Sequence, residues 1–294
     1  MKFPSEKEFG FLEKIHTIAV DLDGTLLNSR ASISTLNHYI LQSAMDQGKN
    51  VIIATGRRFS SALPYALEFK GRVLVVSNNG QVLRSAPDAA RISEVYISSS
   101  AVSAVTEVAK RAGFTPILHV DYFEEGIDFV SEIPITDPRF HNYANGDLVR
   151  SRVVRDCNDH GADRALVVCF LSLDKEELMN LEISLLALPE AIEYRTVITM
   201  IPGVSYCLEV LEKGASKWSA ICSFLESEML HSEGVISFGD EKNDLEMLSG
   251  CGLGFAMKNA ILSLKENSKY HTRYSNDEDG IAMTLLELGV LGFP

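Results

Sequence analysis

Positive charge is scarce in this chain: 27 lysines and arginines stand against 40 aspartates and glutamates, for a net charge of −13. A surface of that sign repels polyanions, which argues against nucleic acid or an anionic membrane as the main partner. An anionic substrate is accommodated only where a local site supplies cations. Long apolar runs are also missing. No stretch approaches the ~20 residues that a membrane span needs. The opening MKFPSEKEFGFLEK mixes charges and has no apolar h-region, so no secretory signal is expected. Cysteine pairs in CxxC spacing are absent. The five cysteines (Cys157, Cys169, Cys207, Cys222 and Cys251) are odd in number. They read as free thiols of a reducing compartment, not as a disulfide frame or a zinc site, and point to the cytoplasm. Internal repeats and low-complexity tracts are lacking too.

Apolar residues, by contrast, are plentiful, at 46% of 294 residues. That is enough for one large domain or two modest ones with a real core. Several short apolar runs end abruptly in polar residues or glycine: HTIAV before Asp21, NVIIA before Thr55, RVLVV before Ser77, GVISF before Gly239 and GLGFA before Met257. Continuous apolar runs of this length suit strands buried on both faces. Helix-like stretches lie between them, at Ser34–Gln47, Ser60–Phe69, Ser216–Glu228 and Asn243–Gly250. The alternation predicts an α/β fold, a parallel sheet with helices on both faces.

The middle of the chain is less regular. It offers helices at Ser98–Ala112 and Lys175–Leu188, and strands in FTPILHV, RALVVCFLSL and IEYRTVITMI. The stretch EEGIDFVSEIPITDPRFHNYANGD reads as a polar, turn-rich loop. The expected organisation is a core in two segments, 15–84 and 207–294, with an α+β cap domain, 85–206, inserted between them.

In open parallel sheets, ligands bind at the carboxyl ends of the strands. The residues ending these runs should therefore converge: Asp21 and Asp23, then Thr55-Gly56-Arg57, then Asn78-Asn79-Gly80, and later Asp240, Asn243 and Asp244. Lys217 opens the helix before the fourth run. Several carboxylates in one place need a cation, and oxygen-only ligands favour a hard one such as Mg²⁺. Glycines and hydroxyls at strand-to-helix turns present N–H groups to an anion. Together these groups suit a phosphate bridged to Mg²⁺.

"DLDGTLL", "ATGR", "NNG", the lysine of "GASK", "GDEKND" and "SNDEDGIA", in this order, resemble the motifs of the haloacid dehalogenase-like hydrolases. Within them the chain is most similar to the Cof-type sugar phosphatases. The resemblance implies a Rossmann-like core, an inserted cap, Mg²⁺ and hydrolysis of phosphate esters through an aspartyl-phosphate. It makes Asp21 the nucleophile and Asp23 the general acid/base, with the backbone carbonyl of Asp23 turned to the metal. Asp240 becomes the other metal carboxylate, and Asp244 the holder of a metal-bound water. Thr55, Gly56, Lys217 and Asn243 resemble the phosphate clamp, with Asn79 on the substrate side. The implied partner is a small phosphorylated metabolite.

Two departures stand out. Trp218 follows the motif lysine where the family commonly has glycine, which leaves Lys213 as a fallback. The leader before Ile15 is longer than is usual in the family. Simpler roles compete for several residues. Thr55 suits a helix cap, Asn78-Asn79-Gly80 a hairpin turn, and Arg57 a carboxylate partner at the rim. Cys207, Cys251 and Trp218 read as packing residues, and His119, His141 and His160 lack metal-like spacing. Arg30 hints at a phosphohexomutase, the alternative within catalysis. An inactive phosphate-binding module is the alternative outside it.

Overall fold

The computed structural model describes residues 4, 14–134, 136–144, 148–201 and 205–290. Most of the leader therefore lies outside the described residues. The chain divides into two compact units, one formed by Met1–Glu94 with Ser216–Pro294 and the other by Val95–Ala215.

In chain order the first unit opens with β1 (Thr17–Val20), α1 (Thr35–Asp46), β2 (Asn50–Ala54), α2 (Phe59–Ala66), β3 (Val73–Ser77), β4 (Val82–Ala86) and β5 (Arg91–Glu94). The insert follows with α3 (Ser99–Arg111), β6 (Ile117–Tyr122), β7 (Ile127–Ser131), α4 (Pro138–Tyr143), β8 (Ser151–Val153), β9 (Ala165–Ser172), α5 (Lys175–Leu186), β10 (Tyr194–Ile201) and β11 (Ser205–Glu212). The chain then completes the first unit with α6 (Lys217–Ser227), β12 (Val235–Gly239), α7 (Leu245–Gly250), β13 (Leu253–Ala256), α8 (Leu262–Asn267), β14 (Tyr270–His271) and α9 (Gly280–Leu288).

Among the described residues the core sheet runs β14-β13-β12-β1-β2-β3-β4-β5. It is parallel from β14 to β3. Strands β4 and β5 add an antiparallel edge. Every residue of β1, β3, β12 and β13 is buried, as their unbroken apolar runs require. The helices start where side chains can accept from free backbone N–H groups. Ser34 caps α1 through Asn37 N–H, and Ser216 and Ser219 cap α6 reciprocally.

The insert sheet runs β10-β11-β9-β6-β7-β8 and is antiparallel except at β7–β8. One face carries Leu118, Val130, Val168, Phe170 and Leu208 and packs against Val102, Val105 and Ala109 of α3 and Leu178, Leu181 and Leu185 of α5.

The expected borders at 85 and 206 fall inside strands. Ser85 belongs to β4, which pairs with β3 in the core sheet, and Tyr206 belongs to β11, which pairs with β9 and β10. A strand cannot be cut from the ladder that satisfies its backbone, so the divide sits at Glu94/Val95 and Ala215/Ser216. The stretch 124–147, read as loop, contains β7 and α4. All five residues of β7 are buried, and its IDFVS alternation is too short to stand out among turn residues.

Candidate active site

Strand β1 lies between β2 and β12, so the residues that follow these three strands are neighbours at one sheet edge. Asp21 leaves β1 still tied to the sheet, its N–H donating to the Phe238 carbonyl at 3.0 Å. The chain then coils tightly through Leu22–Leu26, with Leu26 N–H returning to the Asp21 carbonyl at 3.1 Å. Gly24 makes this coil possible. Its φ is +74°, and a Cβ there would stand 2.3 Å from Asp240 Oδ2. The coil brings the Thr25 hydroxyl to Asp240 Oδ1, which accepts from it at 2.9 Å.

Lys217 is the centre of charge. It is 1% exposed, and its Nζ lies 2.6 Å from Asp21 Oδ1 and 2.6 Å from Asp244 Oδ1. The other Asp244 oxygen accepts from the N–H groups of Asp240 and Glu241 at 2.9 and 3.0 Å. Asp244 is thus met by three donors and fixes both the lysine and the turn after β12. Gly80 sets the approach of α6: with φ +104°, its missing Cβ would lie 1.9 Å from the Ser216 carbonyl oxygen. No larger residue lets the start of that helix come so close. Trp218 does not disturb the lysine. Its indole lies against Gly250 at the end of α7, where a Cβ would come within 2.2 Å of the ring nitrogen. Lys213 is exposed and belongs to the other unit.

Above this buried layer is a cavity of about 310 Å³ lined by Asp21, Asp23, Thr55, Gly56, Arg57, Glu241 and Asn243. Thr55 is buried at the end of β2, and its hydroxyl accepts from Arg57 N–H at 3.1 Å. Asn79 is outside the lining. Its N–H donates to the Thr55 carbonyl at 3.1 Å, and its side-chain oxygen accepts from the Asn243 amide at 2.9 Å. It therefore positions Asn243. Asn78-Asn79-Gly80 joins the antiparallel β3 and β4, so it is also a connecting turn.

Asp23 lines the cavity but stands apart from the buried charges. Its side chain is 55% exposed and takes a two-pronged ion pair from Arg57, with Arg57 Nε at 2.7 Å from Oδ2 and Nη2 on Oδ1. The Arg57 guanidinium also stands 5.3 Å from the Tyr65 ring centre. The carboxylates that come together are Asp21, Asp240 and Asp244, with one oxygen from each all within 4.8 Å of one another. The Asp23 carboxylate is not among them, which leaves its backbone carbonyl as the group for the expected metal role. Glu241 and Thr25 escaped the sequence reading. Glu241 sits inside "GDEKND" but reads there as a charged helix start, and Thr25 carries no signal beyond its place after DG.

Burial pushes the Asp21 carboxyl well above its ordinary range, with Lys217 opposing and Asp244 and Asp240 adding to the rise. Burial likewise lifts Asp240 to about 6, against the Thr25 hydrogen bond. Burial alone would lower the Lys217 ammonium, yet Asp21 and Asp244 override it and hold it up. Three carboxylates against one ammonium leave two negative charges when all are ionised. A divalent cation closes that balance, and an all-oxygen donor set suits a hard one. The residues present fit such an ion.

A family profile described as haloacid dehalogenase-like hydrolase matches residues 18–285. The chain belongs to this family. Among relatives, the 5-amino-6-(5-phospho-D-ribitylamino)uracil phosphatase YitU of Bacillus subtilis (strain 168) is 29% identical, over 93% of this chain and 97% of that protein. A solved haloacid dehalogenase-like hydrolase from Bacteroides thetaiotaomicron superposes with a TM-score of 0.76 at 26% identity, covering 93% of this chain and 99% of that one. TM0651 from Thermotoga maritima shares the fold at a TM-score of 0.78 and 24% identity, over 93% and 97% of the two chains. The haloacid dehalogenase-like hydrolase described here is an enzyme of the phosphoric monoester hydrolase class.

Proposed function

We propose that this hydrolase is a Mg²⁺-dependent phosphatase of small phosphorylated metabolites, sugar phosphates foremost, that works through an aspartyl-phosphate on Asp21. The observation that carries the reading is Lys217, buried with its Nζ 2.6 Å from both Asp21 and Asp244 beside a cavity that Asp21 lines. A buried ammonium held between two carboxylates fixes the nucleophile and supplies local positive charge in an acidic protein.

Asp21 attacks phosphorus, and the ester oxygen leaves. Mg²⁺, when bound by Asp21 and Asp240 with Asp244 in support, supplies neutralisation of the phosphoryl oxygens, so that one anion can approach another. The Thr55 hydroxyl, the Gly56 N–H, the Asn243 amide and Lys217 hold those oxygens. Asp23 gives the departing alkoxide its proton and later takes one from the attacking water. An acid cannot donate while both its oxygens accept from a guanidinium, so Asp23 exchanges Arg57 for the leaving group when substrate arrives.

The insert, 95–215, serves in this reading as the cap that chooses the leaving group. The name of the YitU relative, which specifies a phosphorylated ribityl chain, supports a polyol or sugar phosphate. Five free thiols support a reducing, cytoplasmic setting. No helix among the described residues is long and apolar enough to cross a membrane. The mutase alternative gains nothing from Arg30, which is exposed and outside the cavity lining.

The test is rapid-quench mass spectrometry during turnover of a hexose phosphate. A hydroxylamine-labile phosphate should appear on Asp21, vanish in Asp21→Asn together with activity, and fail to form after chelation until Mg²⁺ is restored. Full activity in Asp21→Asn, or turnover that survives chelation, overturns the proposal.

A further inference from the structure

A second group of potential ligands lies wholly within the insert. Antiparallel strands β9 and β11 pair with Cys169 opposite Glu209 and Leu171 opposite Cys207. Side chains alternate along a strand, so Cys207 and Glu209 share a face and Cys169 meets them across the ladder. This face is opposite the one that packs on α3 and α5, since the neighbouring Val168, Phe170, Leu208 and Val210 belong to that core. The two sulfurs and a carboxylate oxygen of Glu209 all lie within 4.8 Å of one another.

Around Cys169 the support is ordered. Tyr143 Oη lies 2.7 Å from Cys169 Sγ, and His119 Nε2 lies 2.8 Å from Tyr143 Oη. Both thiols are fully buried, whereas Glu209, Tyr143 and His119 are half-buried. Among the described residues, no hydrogen bond or ion pair meets the Glu209 carboxylate. Burial raises its titration above the ordinary range, and Arg195 opposes this electrostatically, without an ion pair among the described residues. A carboxylate desolvated beside two thiols is costly in a core built only for packing. The cost disappears if the three groups share a cation.

We propose that Cys169, Cys207 and Glu209 form a binding site for a thiophilic divalent cation of the Zn²⁺ class. A tetrahedral zinc with Zn–S bonds of about 2.3 Å holds its ligand atoms about 3.5–3.8 Å apart. Small side-chain rotations bring three atoms already within 4.8 Å to that spacing. Two sulfurs exclude Mg²⁺ and Ca²⁺, which take oxygen. On binding, each thiol releases its proton to solvent. Tyr143 then donates to the Cys169 thiolate while accepting from a protonated His119 Nε2, a support of the kind that orients metal ligands. Water completes the fourth position from the half-buried side. Two thiolates and a carboxylate exceed the ion's charge by one, and Arg195 acts on that excess.

The site is independent of the phosphatase reading, and its test reads metal and not turnover. The full chain, stripped of metal, is titrated with Co²⁺ as a spectroscopic stand-in and with Zn²⁺ in competition with a chromophoric chelator. One equivalent of Co²⁺ should produce a thiolate-to-metal charge-transfer band, and Zn²⁺ should displace it. Cys169→Ser/Cys207→Ser should abolish the band, and Asp240→Asn should keep it, which separates this site from the oxygen cluster. Glu209→Gln should keep the band and weaken affinity at least tenfold. Should the double variant not fold, Cys157→Ser, Cys222→Ser and Cys251→Ser carry the test, and each must retain the band. No thiolate band in the unaltered protein, its persistence without Cys169 and Cys207, or its loss with any of the other three cysteines overturns the assignment.

Discussion

In the core, Asp21, Thr55 and Asp240 follow directly on parallel strands. In the insert, Cys169, Cys207 and Glu209 lie within antiparallel ones. The two sheets thus gather chemistry by different rules. A parallel sheet aligns the ends of its strands, so whatever follows each apolar run meets at one edge, whichever face its last residue occupies. An antiparallel sheet gathers groups across its face, and which ones meet depends on register. A one-residue slip between β9 and β11 would send Cys207 and Glu209 to the helix-covered face. The core site tolerates changes in strand composition, whereas the insert cluster depends on them.

The sharpest way to break this comparison is to show that bond cleavage depends on a charged group of the insert. The core-only reading puts the leaving-group proton on Asp23. Asp23→Asn should slow phosphoenzyme formation from a sugar phosphate by about 10²–10⁴-fold. It should barely affect p-nitrophenyl phosphate, whose leaving group is stable as an anion. Single-turnover rapid quench with both substrates measures this. Equal slowing would remove Asp23 as the acid.

Two glycines sharpen the contrast at somewhat smaller scale. Gly24 in the core and Gly113 in the insert both have left-handed backbones, at φ +74° and +86°, but only Gly24 is crowded. Each change to alanine costs about 1 kcal/mol of backbone strain. Gly24→Ala must also displace Asp240, and a shift of that size at a catalytic group costs about 10²-fold in rate. Gly113→Ala, with nothing within 4 Å, should leave the rate within about twofold. Urea titrations beside initial rates separate the two effects.

On one point the regions agree, because each buries a carboxylate whose titration is raised, Asp240 to about 6 and Glu209 above its usual range. A raised carboxyl means that the folded state binds more protons than the unfolded one. Metal-free stability should therefore fall as pH rises from about 4 to about 7, by about 3 kcal/mol for Asp240. Asp21, also raised by burial, carries the fall to higher pH. Mg²⁺ should recover the share due to Asp240, and Zn²⁺ the share due to Glu209. Thermal melts of the chelated protein across this range, with each ion added in turn, show whether the two shares are separable.

Much of the core was legible because its signals are local. Asp21, Thr55 and Asp240 each end an apolar run, and Ser216 advertises the start of α6. Pairings were legible only in kind: Arg57 was expected to meet a carboxylate at the rim, and it does. Nothing in "ATGR" says that Arg57 closes on Asp23, and nothing in "NNG" says that Asn79 braces Asn243, because both contacts depend on how loops are set by strands far away in sequence. The insert's borders failed for the same reason. Strands β4 and β11 look like any other strands until their partners are known. The free state of the five cysteines was legible, but the closeness of Cys169 and Cys207 was not, since neighbouring strands bring them together from 38 positions apart.

Strand β1 sits in the middle of the core sheet, with Thr17 paired to Asn50 on one side and to Val235 on the other. On a ribosome those two neighbours arrive far apart in time. The segment through β5 can zip β1 to β2 and onward early, but one flank of β1 stays bare while the whole insert is made. Through that interval Asp21 has neither Lys217 nor Asp240 beside it. The insert, contiguous in sequence and complete in its own ladder, is able to finish first. The segment from α6 onward therefore has two tasks, covering an exposed strand edge and completing the candidate site, so on a nascent chain that site assembles only as the aggregation-prone edge is closed.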